Sequence, residues 1–339
     1  MVDEADPVLV AALGNHVLWI VSTDEEEGRT LAESYGVSGI PAFILMNPAG
    51  EVVDRWSGFG GSEKWAERLA EAVSDPTPAA ERETRFAESP TVEDALFLGR
   101  IADESERYGE AIAYFDRAIA LDPEAAREGD AAHKRFAAAF FAFLQGKLSV
   151  EEAGPVIEST LADAETEEAS IMAFARLAFL GVRTIGLEPM EPYLRLAYPR
   201  VMASENEKYV GEKKNFLLEY TVQIEKDPER GLALKRELLP EGWENDAGEL
   251  NQFAWWCFEN AVNLEEAEAL ARRGAELAES DGHRASILDT VAEIVNLRGD
   301  PAEAVRLIER AIELDTTRVY FREQLDRFQG IRDAAAAKG

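Results

Sequence analysis

The spacing of hydrophobic residues changes character once along the chain, near residue 74. Before that point a continuous apolar run at His16–Val21 predicts a buried strand. Two further strands are expected at Ala42–Met46 and Val52–Trp56, joined by a tight turn at Asn47–Gly50. After residue 74, apolar residues recur at helical spacing without strand alternation. The pattern predicts an α/β unit followed by an all-α region.

The α/β region also contains signals for three helices. Thr23 and Glu26 have the spacing of a capping box, and Ser62 stands where the N-cap of the last helix is expected. Apolar residues at Trp65 and Leu69 repeat with helical spacing behind Ser62. The three helices are expected at Val8–Leu13, from Thr23 to Tyr35, and at Lys64–Val73.

The segment around Pro41 carries the most specific motif of the N-terminal region. A helix ending in Tyr35–Val37 is followed by a short loop to Ile40-Pro41, then by an apolar strand and a Pro-x-Gly turn. This order resembles the cis-proline segment of the thioredoxin family. The resemblance implies a cis Ile40–Pro41 bond, and it implies that the backbone of Ile40 pairs with an extended peptide. The alternative is that Ile40 only fills the core.

The redox motif of that family is absent from this sequence. The family carries a Cys-x-x-Cys pair upstream of its cis-proline, and the corresponding position falls before Met1. The sole cysteine, Cys257, lies in the apolar helical stretch Phe253–Phe258 and is expected to be buried and inert. Residues 1–74 therefore resemble only the C-terminal part of a thioredoxin fold.

Repeats are the second strong signal. Residues 98–123 resemble the tetratricopeptide family, and 288–316 match it with one departure at Thr316. A weaker unit at 251–279 is offset by a short insertion at 280–282, and 124–250 is helical without a clean repeat. In the first repeat the matching residues are Leu98, Gly99, Ala111, Phe115, Ala118 and Pro123. The resemblances imply a thioredoxin-like unit at 1–74, a linker at 75–90, and a tetratricopeptide-like helical solenoid at 91–339.

Charge narrows the classes of partner. The formal net charge is −31, from 35 basic and 66 acidic residues, which disfavours nucleic acids and anionic membrane surfaces. No apolar run is long enough for a membrane helix, so a soluble chain without membrane insertion is expected. The start at Met1–Asp6 lacks the features of a secretion signal, which fits a cytoplasmic chain; a signal upstream of Met1 stays open, and the compartment is not fixed.

No residues are predicted to carry catalysis, a metal or a cofactor. The three histidines are far apart in sequence, and none has a ligand neighbour at zinc-site spacing. The glycine-rich segment Gly58–Ser62 lacks the Gly-Lys-Ser/Thr ending of a phosphate loop. No nucleophile–base pair is recognisable in the sequence.

Binding residues follow from the repeat resemblance. In tetratricopeptide arrays the first helix of each repeat lines a groove. The positions that line this groove in the family correspond to two rows of residues in this sequence. These are Gln252, Trp256, Glu259 and Asn260 in one repeat, and Asp289, Glu293 and Asn296 in the next. Because these rows contain Glu259, Asp289 and Glu293 with Trp256 beside them, a basic protein or peptide partner is expected. The alternative is a solvated acidic face with a packed tryptophan.

Three functions remain open at this stage. The first is a non-catalytic protein–protein interaction module, with the chain as given not an enzyme. The second is a thiol–disulfide oxidoreductase whose Cys-x-x-Cys lies upstream of this start, with the helical array recruiting its clients. The third is a degenerate thioredoxin fold that serves only as a structural cap for the solenoid.

Overall fold

The computed structural model describes residues 6–37 and 39–336. The chain divides into two compact units, Met1–Ser204 and Glu205–Gly339. The acidic start compared above with a secretion signal lies outside the described residues, apart from Asp6.

The first unit combines one β-hairpin with helices. Its elements are α1 (Pro7–Leu13), α2 (Glu26–Ser34), β1 (Ala42–Met46), β2 (Val52–Ser57), α3 (Ser62–Ser74), α4 (Ala79–Glu88), α5 (Val92–Glu104), α6 (Tyr108–Leu121), α7 (Pro123–Glu128), α8 (Ala131–Leu144), α9 (Val150–Ala162), α10 (Glu168–Ile185) and α11 (Leu187–Ala203). Both strands therefore form where the sequence predicted them.

The second unit is helical throughout its described residues. It contains α12 (Val210–Gln223), α13 (Pro228–Glu237), α14 (Ala247–Glu259), α15 (Leu264–Leu277), α16 (Asp281–Leu297), α17 (Pro301–Leu314) and α18 (Val319–Ala336), with short 3-10 turns at Glu207–Tyr209 and Trp243–Asn245. In the part of the chain that is described, no helix is both long and apolar enough to cross a membrane.

The hairpin is held by its turn and by an aromatic cluster. Asn47 Oδ1 accepts hydrogen bonds from the backbone N–H groups of Ala49 and Glu51, and Gly50 adopts a φ of +82° that favours glycine. β1 and β2 pair antiparallel, which places Phe43 opposite Trp56. Their rings stack with centroids 5.5 Å apart, and both pack against α1 and α3.

The segment 16–21 is not the buried strand that its apolar sequence predicted. It has no regular structure, and the side chain of Val17 is 97% exposed and that of Trp19 is 73% exposed. A strand needs a neighbour for its backbone hydrogen bonds. In the described residues β1 and β2 pair only with each other, so no ladder is available to this segment. An apolar run in the sequence shows that a segment is hydrophobic, but it does not show whether a neighbouring strand is available to pair with it.

Two predicted helix caps are also wrong. Helix α2 begins at Glu26, and Glu25 is its N-cap. Thr23 therefore lies in the turn before the helix and forms no capping box. Ser62 is the first residue of α3 instead of its N-cap, because Gly61 takes that place with a φ of +102°. The Ser62 hydroxyl instead donates a 2.6 Å hydrogen bond to Asp6 Oδ2, which joins α3 to the start of α1.

The segment 75–90, predicted as a linker, contains α4 and packs onto α5. The guanidinium of Arg82 is buried and lies 2.7 Å from a carboxylate oxygen of Asp75. Arg85 forms a bidentate pair with the buried Asp94 of α5. The prolines and charged residues near residue 76 suggested an exposed linker. In the structure these charged side chains instead form ion pairs that hold α4 against α5.

The predicted repeats form packed helix pairs. Gly99 of α5 faces the ring of Phe115 of α6, and Ala111 is fully buried at the same contact. In the second unit α16 packs against α17 with Ala304 fully buried, and α14 packs against α15. Small residues thus stand where two helices approach closely, as the sequence spacing indicated.

The region without a clean repeat is helical, as predicted. Ser149 and Glu152 form the predicted capping box at the start of α9, and Phe136 and Phe140 of α8 are buried and stacked. The Phe140 ring also contacts Phe174 of α10, with centroids 5.1 Å apart. Aromatic packing between these helices occurs together with close contacts at small residues such as Gly154 and Gly181.

We expect Gly99→Ala to destabilise the first unit, by ~1–3 kcal/mol. A Cβ at residue 99 would lie 2.6 Å from Phe115 Cε1, so the ring or the helices must move. Gly109→Ala is the matched control, because nothing lies within 4 Å of a Cβ there and alanine is the better helix former. Thermal unfolding of both variants measures the effect. Equal melting temperatures would show that Gly99 is not at a close contact.

Candidate partner-binding surface

The row assigned to α14 is only partly on the surface. Gln252 and Glu259 are exposed, whereas Asn260 is half-buried and its side-chain amide donates to the Trp256 carbonyl oxygen over 2.8 Å. Trp256 is 8% exposed, and its ring packs against α13 at Gly231. Trp256 is therefore a core residue, in agreement with the alternative that the sequence left open.

The row assigned to α16 follows one side of that helix, at positions i, i+4 and i+7. Asp289 and Glu293 are both buried, and Asn296 is half-buried. Arg327 of α18 donates to a carboxylate oxygen of Glu293. The acidic charge predicted for this side is therefore partly neutralised by a residue that the repeat register did not include. We call the rows on α14 and α16 together the α14–α16 face.

Three oxygen atoms on these helices are buried without a hydrogen-bond donor in the described structure. They are Asp289 Oδ1, Asn296 Oδ1 and Asn251 Oδ1. Unpaired buried acceptors carry a desolvation cost, and donors supplied by another molecule would remove it. Asn251 was not predicted, because it lies one position before the groove register of the repeat.

Asp289 is the most perturbed acid on this face. It is 7% exposed, and burial together with the Glu293 carboxylate one turn away raises the pKa of its carboxyl to about 6. The Tyr320 hydroxyl, Arg327 and Arg318 act in the opposite direction. A cationic group placed here would favour the ionised form of Asp289 and lower its pKa.

The predicted peptide-pairing residues of the first unit lie at the start of β1. The Ile40–Pro41 bond is cis, and the Pro41 carbonyl oxygen accepts a 2.8 Å hydrogen bond from the Gly58 N–H. Ile40 is 74% exposed, so it does not fill the core of the described structure. The opposite edge of β1 pairs with no other strand in the described ranges.

The structure contains one serine–histidine contact that sequence spacing could not reveal. His133 Nδ1 of α8 lies 2.8 Å from Ser170 Oγ of α10. Ser170 is buried, and no carboxylate among the described residues pairs with this imidazole. Because Ser170 is buried, substrate cannot reach it, as it must reach a nucleophile. The contact therefore serves to hold α8 and α10 together.

Cys257 is buried in the core of the second unit, as expected. Burial and, to a smaller extent, the nearby Glu266 carboxylate raise the pKa of its thiol to about 12. The thiolate is the reactive form. At neutral pH the thiol is therefore protonated and shielded from reagents.

One comparison with known proteins supports the first helical repeat. A family model described as tetratricopeptide repeat matches residues 96–124, which span α5 and α6. No curated protein matches the chain by sequence. Among solved structures, the crystal structure of the APC/C hetero-tetramer Cut9-Hcn1 is similar, with a TM-score of 0.35 and 12% identity over 73% of this chain. The chain spans 45% of that structure's chain.

We expect Asp289→Asn to change how stability depends on pH. The folded-state pKa of about 6 lies above the unfolded value near 3.8, so the folded protein loses stability as pH rises between these values. The variant lacks this loss, on the order of 3 kcal/mol, and should gain stability relative to wild type toward neutral pH. Melting temperatures from pH 4 to pH 7 test this, with the exposed Glu259→Gln as control. Parallel profiles for wild type and Asp289→Asn would contradict it.

We expect the Cys257 thiol to be unreactive in the native protein, because it is protonated and buried. A disulfide reagent that releases a coloured thiol should label it only after denaturation. Ala70→Cys supplies a matched control, since residue 70 is exposed on α3 and its thiol should react at once. Rapid native labelling of wild type would contradict the buried assignment.

Proposed function

We propose that this protein is a non-catalytic scaffold that binds another protein through the α14–α16 face. The tetratricopeptide match at residues 96–124 supports a protein-interaction role for the helical region. The observation that carries the choice of face is the set of unpartnered buried acceptors at Asp289, Asn296 and Asn251. These groups gain hydrogen bonds when a partner supplies donors.

The partner that best fits this face is a basic segment of a protein. Lysine and arginine side chains carry donors and positive charge, whereas the face offers buried acceptor oxygens and the exposed carboxylate of Glu259. Arg327 already pairs with Glu293, whereas Asp289 has no ion pair among the described residues and its Oδ1 atom lacks a hydrogen-bond donor. The proposed contacts of the partner are therefore centred on Asp289.

The N-terminal unit has a separate proposed role as a thioredoxin-like cap on the first repeat. The supporting contacts join the hairpin to α5: Ser57 Oγ donates to Glu104 over 2.8 Å, and Arg55 donates to Ser105 Oγ over 3.0 Å. The Arg100 guanidinium donates to the Arg55 carbonyl oxygen over 2.8 Å. The same unit keeps Ile40 exposed beside an unpaired edge of β1, which supports the predicted strand addition there.

Thiol–disulfide exchange is not proposed for the described residues. Exchange begins with a thiolate, and Cys257, the only cysteine of the sequence, is buried with a raised thiol pKa. The alternative that depended on a motif upstream of Met1 has no support from the comparisons, so the scaffold function is preferred.

Binding of a synthetic lysine-rich peptide, compared with a glutamate-rich peptide of equal length, tests the scaffold proposal. Fluorescence anisotropy at low salt should show binding of the basic peptide only, and the affinity should fall as salt screens the charges. Glu259→Lys should weaken binding by about fivefold, as expected for one exposed charge contact of up to ~1 kcal/mol.

Glu276→Lys is the matched control, because it makes the same change in net charge at an exposed position of α15. It should leave the affinity nearly unchanged. Equal weakening by both variants would mean that the affinity depends only on the overall charge of the protein. Binding that does not change with salt would mean that the peptide binds to a surface other than the α14–α16 face.

A further inference from the structure

A cleft of about 210 Å³ opens in the first unit between the hairpin and the helices. Its lining comes from five elements: β2, α3, α4, α5 and α8. Four of its lining side chains are cationic: Arg68, Arg82, Arg100 and Lys134. Four others are acidic: Asp54, Glu71, Asp75 and Glu93.

Three aspartates in and beside the cleft are each shared between two arginines. Asp54, which is 2% exposed, accepts from Arg68 over 2.6 Å and from Arg100 over 2.8 Å. Asp75 and Asp94 are shared in the same way between Arg82 and Arg85. Three aspartates therefore face four arginines, and no carboxylate of this group remains for a further cation.

Lys134 is that further cation. Its ammonium donates a 2.8 Å hydrogen bond to the Gly129 carbonyl oxygen, and no described carboxylate lies within salt-bridge distance of it. Burial lowers the pKa of Lys134, and the guanidinium groups of Arg100 and Arg68 lower it further, whereas the carboxylates of Asp130 and Glu71 raise it. A partly buried positive charge without a counter-ion is costly, and a bound anion would compensate it.

Donors remain available beside Lys134. A guanidinium has five N–H donors, and the contacts of Arg100 engage only the Arg55 carbonyl oxygen and Asp54. The ring of Phe97 lies under Arg82 and Arg100, with centroid distances of 4.1 Å and 5.2 Å, which holds both guanidinium groups in place. The cleft thus has a preorganised set of cationic donors.

The rim restricts the size of the anion. Glu71 and Glu93 line the entrance and are exposed, so a long polyanion would meet two solvated carboxylates. A compact group can pass between them and reach the floor. Arginine forks and a lysine ammonium together match the geometry and charge of a phosphate group.

We propose that this cleft binds the phosphate group of a small molecule, with Lys134, Arg68 and Arg100 as its donors. This binding site is separate from the α14–α16 face and does not depend on the scaffold function. No covalent step is involved, and the anion supplies the counter-charge that Lys134 lacks.

Calorimetric titration of the full chain with inorganic phosphate at low salt tests the proposal. Saturable binding is expected, and Lys134→Gln should weaken it by about tenfold, since a charge-assisted hydrogen bond contributes ~1.5–3 kcal/mol. Lys134→Arg keeps the charge and should retain binding within about threefold. Lys64→Gln, at an exposed position of α3, is the matched control and should bind as wild type.

Two further measurements identify the group that is bound. Phenyl phosphate should bind more tightly than benzoate; the reverse order would overturn the phosphate assignment. In wild type, phosphate should slow acetylation of Lys134 and leave that of Lys64 unchanged, which mass spectrometry can follow without any variant. Unaltered acetylation of Lys134, absence of saturable binding, or equal weakening by the Lys64 variant would each overturn the proposal.

Discussion

The arrangement of the first unit depends on one buried carboxylate, Asp54. It lies on β2 and is shared between Arg68 of α3 and Arg100 of α5, so a single side chain ties the hairpin to a helix on either side. Removing one partner of a buried ion pair typically costs ~3–5 kcal/mol, because the remaining charge stays buried and unpaired. Here two arginines would lose their partner together.

This interaction explains why the hairpin lies on the first repeat. Around Asp54, the backbone carbonyl of Arg55 accepts from Arg100, and the Arg55 side chain donates to the carbonyl oxygens of Tyr35 and Gly36. The contacts therefore extend from the end of α2 through β2 to α5. Because most of these contacts are charged or polar, they fix the position of the hairpin on α5, whereas the aromatic cluster packs it against α1 and α3. The surplus of arginine that this requires also produces the cationic cleft beside it.

Local signals in the sequence predicted the parts of the fold that local chemistry determines. The strands were correct because Asn47 and Gly50 define the turn between them, and the first repeat was recognisable because Gly99 must accommodate Phe115. The segment 16–21 failed because pairing depends on a neighbouring strand. The ion pair between Asp54 and Arg100 could not be predicted, since nothing local links residues so far apart in the chain.

The candidate partner-binding surface could likewise be predicted only in part. The repeat register placed Trp256 and Asp289 on the correct helices. It could not tell that α13 covers Trp256 at Gly231, or that Arg327 of α18 reaches Glu293, because those contacts depend on how neighbouring helices pack. Asn251, adjacent to the register, was missed for the same reason.

The contacts of α4 and α5 have a consequence for how this chain can be divided. A fragment beginning at residue 91 would match the predicted solenoid boundary, yet it would lack Asp54, Arg82 and Arg85. Asp94 would then be left without both of its arginines, and Arg100 without its carboxylate. The Phe97 ring would also lose Arg82 of α4 from its face, and Tyr114 would lose its contact with the Phe86 ring of α4. A fragment that begins at the predicted solenoid boundary would therefore leave buried charges unpaired, whereas a division between Ser204 and Glu205 would keep all of these contacts within one compact unit.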